Sequence, residues 1–206
     1  LQSWKKGTAD ALPITMSFWV KTNKTGTYQV NFVDEDNSRR FISRAYSASS
    51  ADTWEKIEFT CSGDTTGAFG NDNGDSLMIE WWFGAGTNFT SGTIPTSWTA
   101  HSNGNRAASL NVNLADSTSN YWQITGVQLE LGKVATEFEH RSYGEELALC
   151  QRYYEDIAGT IQGGADTTGI NMYMHIPYKV TKRATPTITY GTLYSTIINS
   201  AVHSFG

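Results

Sequence analysis

Two tryptophans and three polar side chains occupy strand positions that should face solvent, and together they could bind a sugar. Trp19 and Trp82 alternate with apolar residues, and Gln29, Asn31 and Glu80 follow the same alternation. An indole stacks on the C–H face of a pyranose, while amides and carboxylates bond its hydroxyls. These five residues are the predicted glycan-binding set. The same face could instead pack against a neighbouring subunit, because large aromatic residues are favoured at interfaces.

A second cluster of oxygen ligands lies in a glycine-containing turn. Asn71, Asp72, Asn73 and Asp75 surround Gly74 and present the amides and carboxylates that Ca²⁺ prefers. The run lacks the bidentate Glu of an EF-hand, and a plain turn needs the same residue types. We therefore expect no cofactor, unless these four residues hold a structural calcium ion.

Paired carboxylates are the remaining chemistry to consider, because glycoside hydrolysis uses two across a cleft. Glu80 and Glu130 lie on separate predicted strands and could face each other, but each could equally be a solvated strand residue or a subunit contact. The chain has no Gly-x-Ser-x-Gly elbow, no His-Glu-x-x-His motif and no phosphate-binding loop. The sequence predicts a protein that is not an enzyme.

Composition narrows the class of protein and its partners. Only 17% of the 206 residues are charged and 13% are aromatic, which with abundant turn formers is typical of an all-β chain. A net charge of −5 disfavours nucleic acid as a partner. The absence of an 18-residue apolar run predicts no membrane insertion. Because the chain begins at Leu1 rather than Met, we expect a fragment of a longer protein.

The elements that must position these residues are strands with a period of two. Such alternation, separated by turn clusters, predicts a sheet with one core face and one solvated face. Gly126, in the middle of the last run, predicts a bulge. The alternating runs are residues 16–20, 28–32, 57–61, 77–83 and 122–130.

A helix follows the predicted strands. Ser142 and Glu145 have capping-box spacing, and Leu147, Cys150 and Tyr154 recur on one helical face. Alternating patterns predict further strands at residues 170–178, 187–190 and 193–198. The predicted fold is mainly β: an antiparallel β-sandwich over residues 1–140, then one short helix and a smaller β region over residues 141–206.

The two cysteines, Cys61 and Cys150, are far apart in the sequence and lack a metal-ligand spacing. They could form a disulfide. Two buried thiols, in a protein made in a reducing cytoplasm, are the favoured interpretation.

Three segments late in the chain resemble proteins of bacteriophage particles. ITGVQLELG at 124–132, followed by ATEFE at 135–139, resembles a closing-strand motif of phage structural proteins. YGEELALCQRYY at 143–154 resembles the helix that follows the sandwich in phage tail-fibre and tail-tip proteins. KRATPTI at 182–188 fits the same family, with Lys182 where an apolar residue is expected.

The upstream half resembles a different module. SFWVK at 17–21, GTY at 26–28 and TWEK at 53–56 resemble a jelly-roll carbohydrate-binding module. Because jelly rolls serve capsid proteins, lectins and enzymes alike, this resemblance implies a fold rather than a ligand.

Together the resemblances imply a tail-fibre or tail-associated virion protein, made in the bacterial host cytoplasm and located on the tail or particle surface. They imply a homotrimer that contacts other virion proteins and contributes to host-surface glycan attachment. In such a trimer Leu147, Cys150 and Tyr154 would meet at the threefold axis. A purely architectural or decoration protein without glycan binding is the first alternative, and a polysaccharide-degrading domain is the second.

Overall fold

The computed structural model describes residues 2–72, 74–157, 163–165, 172–174 and 177–189. The chain divides into two compact units, Leu1–Glu139 and His140–Gly206. The strands are β1 (Ile14–Thr22), β2 (Gly26–Asp34), β3 (Arg40–Ala48), β4 (Glu55–Cys61), β5 (Leu77–Trp82), β6 (Trp122–Leu131), β7 (Gly163–Ala165) and β8 (Met172–Met174). The helices are α1 (Thr87–Thr90) and α2 (Tyr143–Gln151), and 3₁₀ turns lie at Gln2–Trp4, Asn103–Asn105 and Leu114–Asp116.

The first unit is an antiparallel β-sandwich, as the alternation predicts. One sheet has the strand order β4-β1-β6 and is called here the Trp19 sheet; the other has the order β3-β2-β5 and is called the Trp82 sheet. The chain passes between the two sheets after β1, β3, β4 and β5. The described residues are thus mainly β, with two three-stranded sheets in the first unit and a two-stranded sheet, β7-β8, in the second.

Alternating apolar residues of both sheets form the core. Met16 and Phe18 of β1 and Val30 and Phe32 of β2 are completely buried, which confirms their predicted inward direction. Phe32 meets Phe59 of the opposite sheet with ring centroids 6.1 Å apart. Side chains at every second position of a strand point to the same face of its sheet. The inward side chains of β1 and β2, one strand from each sheet, therefore meet between the two sheets and form the core.

The sequence pattern does not predict β3, which forms one edge of the Trp82 sheet. Its inward positions include Arg44, which is paired with Val30 of β2 and interrupts the apolar alternation. The Arg44 guanidinium donates two hydrogen bonds, of 2.8 and 3.1 Å, to the Thr60 carbonyl oxygen of β4. An inward arginine therefore joins the edges of the two sheets, where an apolar residue would be expected.

A bulge in β6 confirms the prediction made for Gly126. The β1–β6 register runs from Ser17–Gln128 to Trp19–Thr125, so Gly126 and Val127 together oppose Phe18. Gly126 has a φ of 58°, a left-handed conformation that glycine adopts at little cost. The extra residue bends β6 where it passes beneath Trp19.

The second unit begins with α2, whose capping box is present as predicted. The Ser142 hydroxyl oxygen accepts a hydrogen bond from the Glu145 N–H, and the Glu145 carboxylate accepts one from the Ser142 N–H. The helix ends at Gln151, so Tyr154, which was expected on the same helical face as Leu147 and Cys150, lies beyond it. No residue of α2 is buried within the chain.

The predicted strands beyond α2 are found only in part. The 170–178 prediction overlaps β8, Met172–Met174, but residues 177 and 178 are not in a strand. Residues 187–189 have no regular structure, and the remainder of that prediction and residues 193–198 lie outside the described residues. In the part of the chain that is described, no helix is long and apolar enough to cross a membrane.

Candidate functional site

The predicted glycan-binding set is divided between the two outer faces of the sandwich. Trp19 lies in β1 of the Trp19 sheet, whereas Gln29, Asn31, Glu80 and Trp82 lie in β2 and β5 of the Trp82 sheet. All five do point away from the core, but they do not share one surface. The correction has a simple cause: alternation distinguishes inward from outward positions and does not say which sheet a strand joins.

Gln29 and Asn31 are not exposed, because the connection between β5 and β6 folds over the Trp82 sheet. Both side chains have no solvent-accessible surface. The Gln29 amide donates to the carbonyl oxygens of Asn105 (3.0 Å) and Arg106 (2.9 Å), and its oxygen accepts from the Ser109 N–H at 3.0 Å. These amides hold the covering segment and are not available to a ligand.

Asn31 completes the same buried network. Its amide nitrogen donates to the Arg106 carbonyl oxygen at 2.9 Å and to Glu80 at 3.2 Å, and its oxygen accepts from Ser43 at 2.6 Å and Gln29 at 2.9 Å. A buried amide needs these hydrogen-bond partners, because each buried polar group left without one would cost about 1–3 kcal/mol of folding free energy. The outer face of the Trp82 sheet is therefore a packed layer.

Glu80 and Trp82 belong to a half-buried cluster at the margin of this layer. The Arg106 guanidinium pairs with Glu80 and lies 5.0 Å from the Trp82 ring centroid and 5.7 Å from that of Phe89. The Trp82 indole N–H donates to Glu80 at 3.3 Å. Glu80 and Trp82 therefore already have partners within the chain, since Arg106 forms the ion pair with Glu80 and the cation–π contact with Trp82.

The outer face of the Trp19 sheet is open around Trp19. The indole is 39% exposed although it lies in the central strand of its sheet. It sits over Gly126: a β-carbon built on Gly126 would be 3.3 Å from Trp19 Cδ1 and 3.8 Å from Phe138 Cδ2. Phe138, at the end of the segment that returns across β6, is 42% exposed. The missing side chain at Gly126 leaves room for both rings.

Trp54 is a second exposed indole, one residue before β4 of the Trp19 sheet. Trp19 is paired with Lys56 of β4, and Trp54 precedes Lys56 by two residues. Trp54 immediately precedes β4, whose register with β1 ends at the pair of Val20 with Glu55. The side chain is 41% exposed, and no sequence signal distinguished it from a residue covering the core edge.

Charged groups lie beside the two indoles. Lys56 and Glu58 form an ion pair at 2.5 Å, and both are exposed. The hydrogen bond with Glu58 raises the pKa of Lys56 above its ordinary value, so the amine stays cationic. The Trp19 face, defined as Trp19, Trp54, Lys56, Glu58 and Phe138, therefore combines flat apolar surfaces with charged hydrogen-bonding groups.

The two carboxylates considered for hydrolysis do not face each other. Glu80 is on the Trp82 sheet and pairs with Arg106, whereas Glu130 is on the Trp19 sheet, where it accepts a hydrogen bond from the Thr136 N–H at 3.0 Å. Hydrogen bonds from the Thr136 hydroxyl, the Gln128 side chain and the Thr136 N–H lower the pKa of Glu130. The sandwich separates them, so this pair cannot act together across a cleft.

The predicted calcium-binding turn is an exposed loop. Asp72 accepts the Gly74 N–H at 2.8 Å, as in an ordinary turn. Asn71 and Asp75 are exposed, and Asn73 lies outside the described residues. Among described residues no group of three or more His, Cys, Asp or Glu side chains could hold a metal ion.

The predicted oligomer contacts are all on the surface of the chain. Leu147, Cys150 and Tyr154 are exposed, Tyr154 by 77%. Neither cysteine forms a disulfide, but Cys150 is exposed and Cys61 is buried, which corrects the expectation of two buried thiols. Self-association through α2 stays a prediction.

Comparisons of the chain with protein-family models, curated proteins and solved structures find no match.

Proposed function

We propose that this chain is a non-catalytic virion protein of a bacteriophage tail fibre or tail-associated structure, which attaches to host-surface glycans through the Trp19 face. The observation that carries the proposal is the exposed indole of Trp19 on the outer face of a sheet that the β5–β6 connection does not cover, together with a second exposed indole, Trp54, one residue before β4 of that sheet. Each exposed indole offers a flat apolar ring on which one sugar of a glycan chain can stack.

The tail location and the trimer rest on the resemblance of residues 124–154 to phage proteins. Trimerisation would present three copies of the Trp19 face to one surface. Linked copies raise the effective concentration for the second and third contacts, so a weak individual site would suffice. A shallow face of this kind suits such a multivalent adhesin.

The test is binding of the labelled chain to a glycan array and to candidate host cells. Wild type is compared with Trp19→Ala and Trp54→Ala, and Tyr143→Ala is the control because Tyr143 is an exposed ring outside the sandwich. We expect saturable binding to one glycan class and at least about tenfold weaker binding for each tryptophan variant. The control should bind as wild type does.

A purely architectural role is the second candidate. It is favoured by α2, which buries none of its residues within the chain and exposes Tyr143, Leu147 and Leu149. A folded, oligomeric wild type that binds neither glycans nor host cells would decide for this role. Release of reducing sugar from a host polysaccharide would instead identify a degrading enzyme.

A further inference from the structure

A buried lysine near the start of the chain is surrounded by acceptors. The Lys6 side chain is 1% exposed and its Nζ contacts Asp34 Oδ2, Asp64 Oδ2 at 3.2 Å, and the carbonyl oxygens of Thr66 (3.0 Å) and Gly67 (2.7 Å). Asp34 and Asp64 are themselves 0% and 3% exposed. One amine and two carboxylates thus meet inside the first unit, away from water.

The Asp34 carboxyl is held by a set of N–H donors. Its Oδ1 accepts from the backbone N–H groups of Asp36 (3.0 Å) and Asn37 (3.1 Å) and from the Asn37 side-chain amide (3.1 Å). The two backbone donors can stabilise the negative charge that develops on Oδ1 when a nucleophile adds to the carbon. The other oxygen, Oδ2, faces Lys6 and also accepts from the Asn37 side-chain amide at 2.9 Å.

Asp64 is the second carboxylate on the same amine. Burial acts to raise its pKa, but hydrogen bonds from Arg40, the Thr66 N–H and Lys6 outweigh burial and hold the pKa below its ordinary value. The Arg40 guanidinium donates a hydrogen bond of 3.1 Å to each of the two Asp64 carboxylate oxygens. An ionised carboxylate 3.2 Å from Nζ can accept protons from the amine.

Aromatic rings close the site. Lys6 Nζ lies 5.1 Å from the centroid of Phe69 and 5.5 Å from that of Trp98, and Trp4 packs against both rings. Away from water, the Lys6 ammonium and the Asp34 carboxylate carry a desolvation cost, and conversion of the two into a neutral amide removes it. It also disfavours the reverse reaction, which consumes water.

We propose that Lys6 and Asp34 form an intramolecular amide bond, with Asp64 as the proton carrier. The Lys6 ammonium gives one proton through Asp64 to Asp34 Oδ2, and the free amine adds to Asp34 Cγ. The nitrogen then gives its second proton through Asp64 to the same oxygen, which leaves as water while the carbonyl re-forms. One N–C bond forms, one C–O bond breaks, and no oxidant or co-reactant is needed.

The bond would tie the segment before β1 to the end of β2. Lys6 precedes β1 and Asp34 is the last residue of β2, and these two strands belong to opposite sheets, so the amide would close a covalent loop that contains β1, the strand that holds Trp19. Such a bond would persist in denaturant, unlike an ion pair. This inference is independent of glycan binding.

The test is intact-mass analysis of the folded full chain after denaturation, followed by proteolysis. We expect a mass lower by one water molecule and a branched peptide that joins Lys6 to Asp34. Lys6→Arg keeps the cation but cannot form this bond, so it should have the full mass. Asp64→Asn should slow the water loss at least about a hundredfold.

Three results would overturn the proposal. The first is a wild-type chain of full mass after long incubation in the folded state, which needs no variant to fold. The second is loss of water within a single linear peptide, which indicates an aspartyl imide instead. The third, unchanged water loss in Asp64→Asn, would remove the role of Asp64.

Discussion

The indole of Trp19 lies against Gly126, where a side chain would crowd the ring. A β-carbon there would be 3.3 Å from Trp19 Cδ1, and the glycine has a φ of 58° at the β6 bulge. One residue in the edge strand thereby sets the position of an exposed ring in the central strand. The candidate binding face depends on this bulge.

Replacement of Gly126 by alanine should disturb both folding and the Trp19 face. We expect a loss of about 1 kcal/mol in the free energy of unfolding from the left-handed backbone, and weaker glycan binding because Trp19 must move. Urea unfolding and tryptophan fluorescence measure the two effects. Gly132→Ala is the control, since its φ is 118° but no atom lies within 4 Å of the added carbon. Equal effects of both variants on fluorescence would contradict the contact with Trp19.

Gln29 should stabilise the first unit although it looks like a surface residue in the sequence. Gln29→Ala leaves the Ser109 N–H and two carbonyl oxygens without their partner, and we expect a cost of about 3 kcal/mol. Faster proteolysis within the β5–β6 connection should accompany it. Gln123→Ala, at an exposed position of β6, should change neither property. An unfolding midpoint shared by both variants would refute the covered face.

Acid should destabilise the first unit through Asp64. Because the folded-state pKa of Asp64 lies below its ordinary value of 3.8, its contribution to stability is complete above that pH. The contribution is lost as the pH falls through the folded-state pKa. Urea unfolding from pH 7 to pH 2 measures this dependence.

Removal of Arg40 should weaken that acid dependence. Arg40→Met deletes the main partner of a buried carboxylate, and we expect a loss on the order of 3 kcal/mol at pH 7. The loss should shrink at low pH, where Asp64 is protonated. Arg39→Met, at a more exposed arginine, should have a smaller effect at pH 7. An Arg40→Met loss that is constant with pH would argue against the ion pair.

The two cysteines should differ in reactivity. Burial raises the pKa of Cys61 to about 11, with a partial opposing effect from Arg44, and the thiolate is the reactive form. An aromatic disulfide reagent at pH 8 should modify Cys150 at once and Cys61 only after unfolding. The Cys150→Ser variant should show no rapid phase. Rapid labelling of two thiols in the folded chain would contradict the burial of Cys61.

Local features of the sequence determined β1, β2, β4, β5 and β6, the bulge and the helix cap, but not β3, where the inward Arg44 interrupts the apolar alternation. Met16, Phe18, Val30 and Phe32 are buried as their period of two predicts, because pleating alone sends alternate side chains to opposite faces. Gly126 and the Ser142–Glu145 cap are equally local, since each depends on one backbone conformation or on three residues of spacing.

Tertiary structure decided which outward residues reach solvent. Gln29 and Trp19 have the same alternation, yet one is completely buried and the other 39% exposed. The difference arises because the connection between β5 and β6, which has little apolar alternation, folds over the Trp82 sheet. Backbone groups of this connection form hydrogen bonds with the Gln29 side chain. Alternation reports the direction of a side chain from its own strand; what covers it depends on long-range packing and hydrogen bonds.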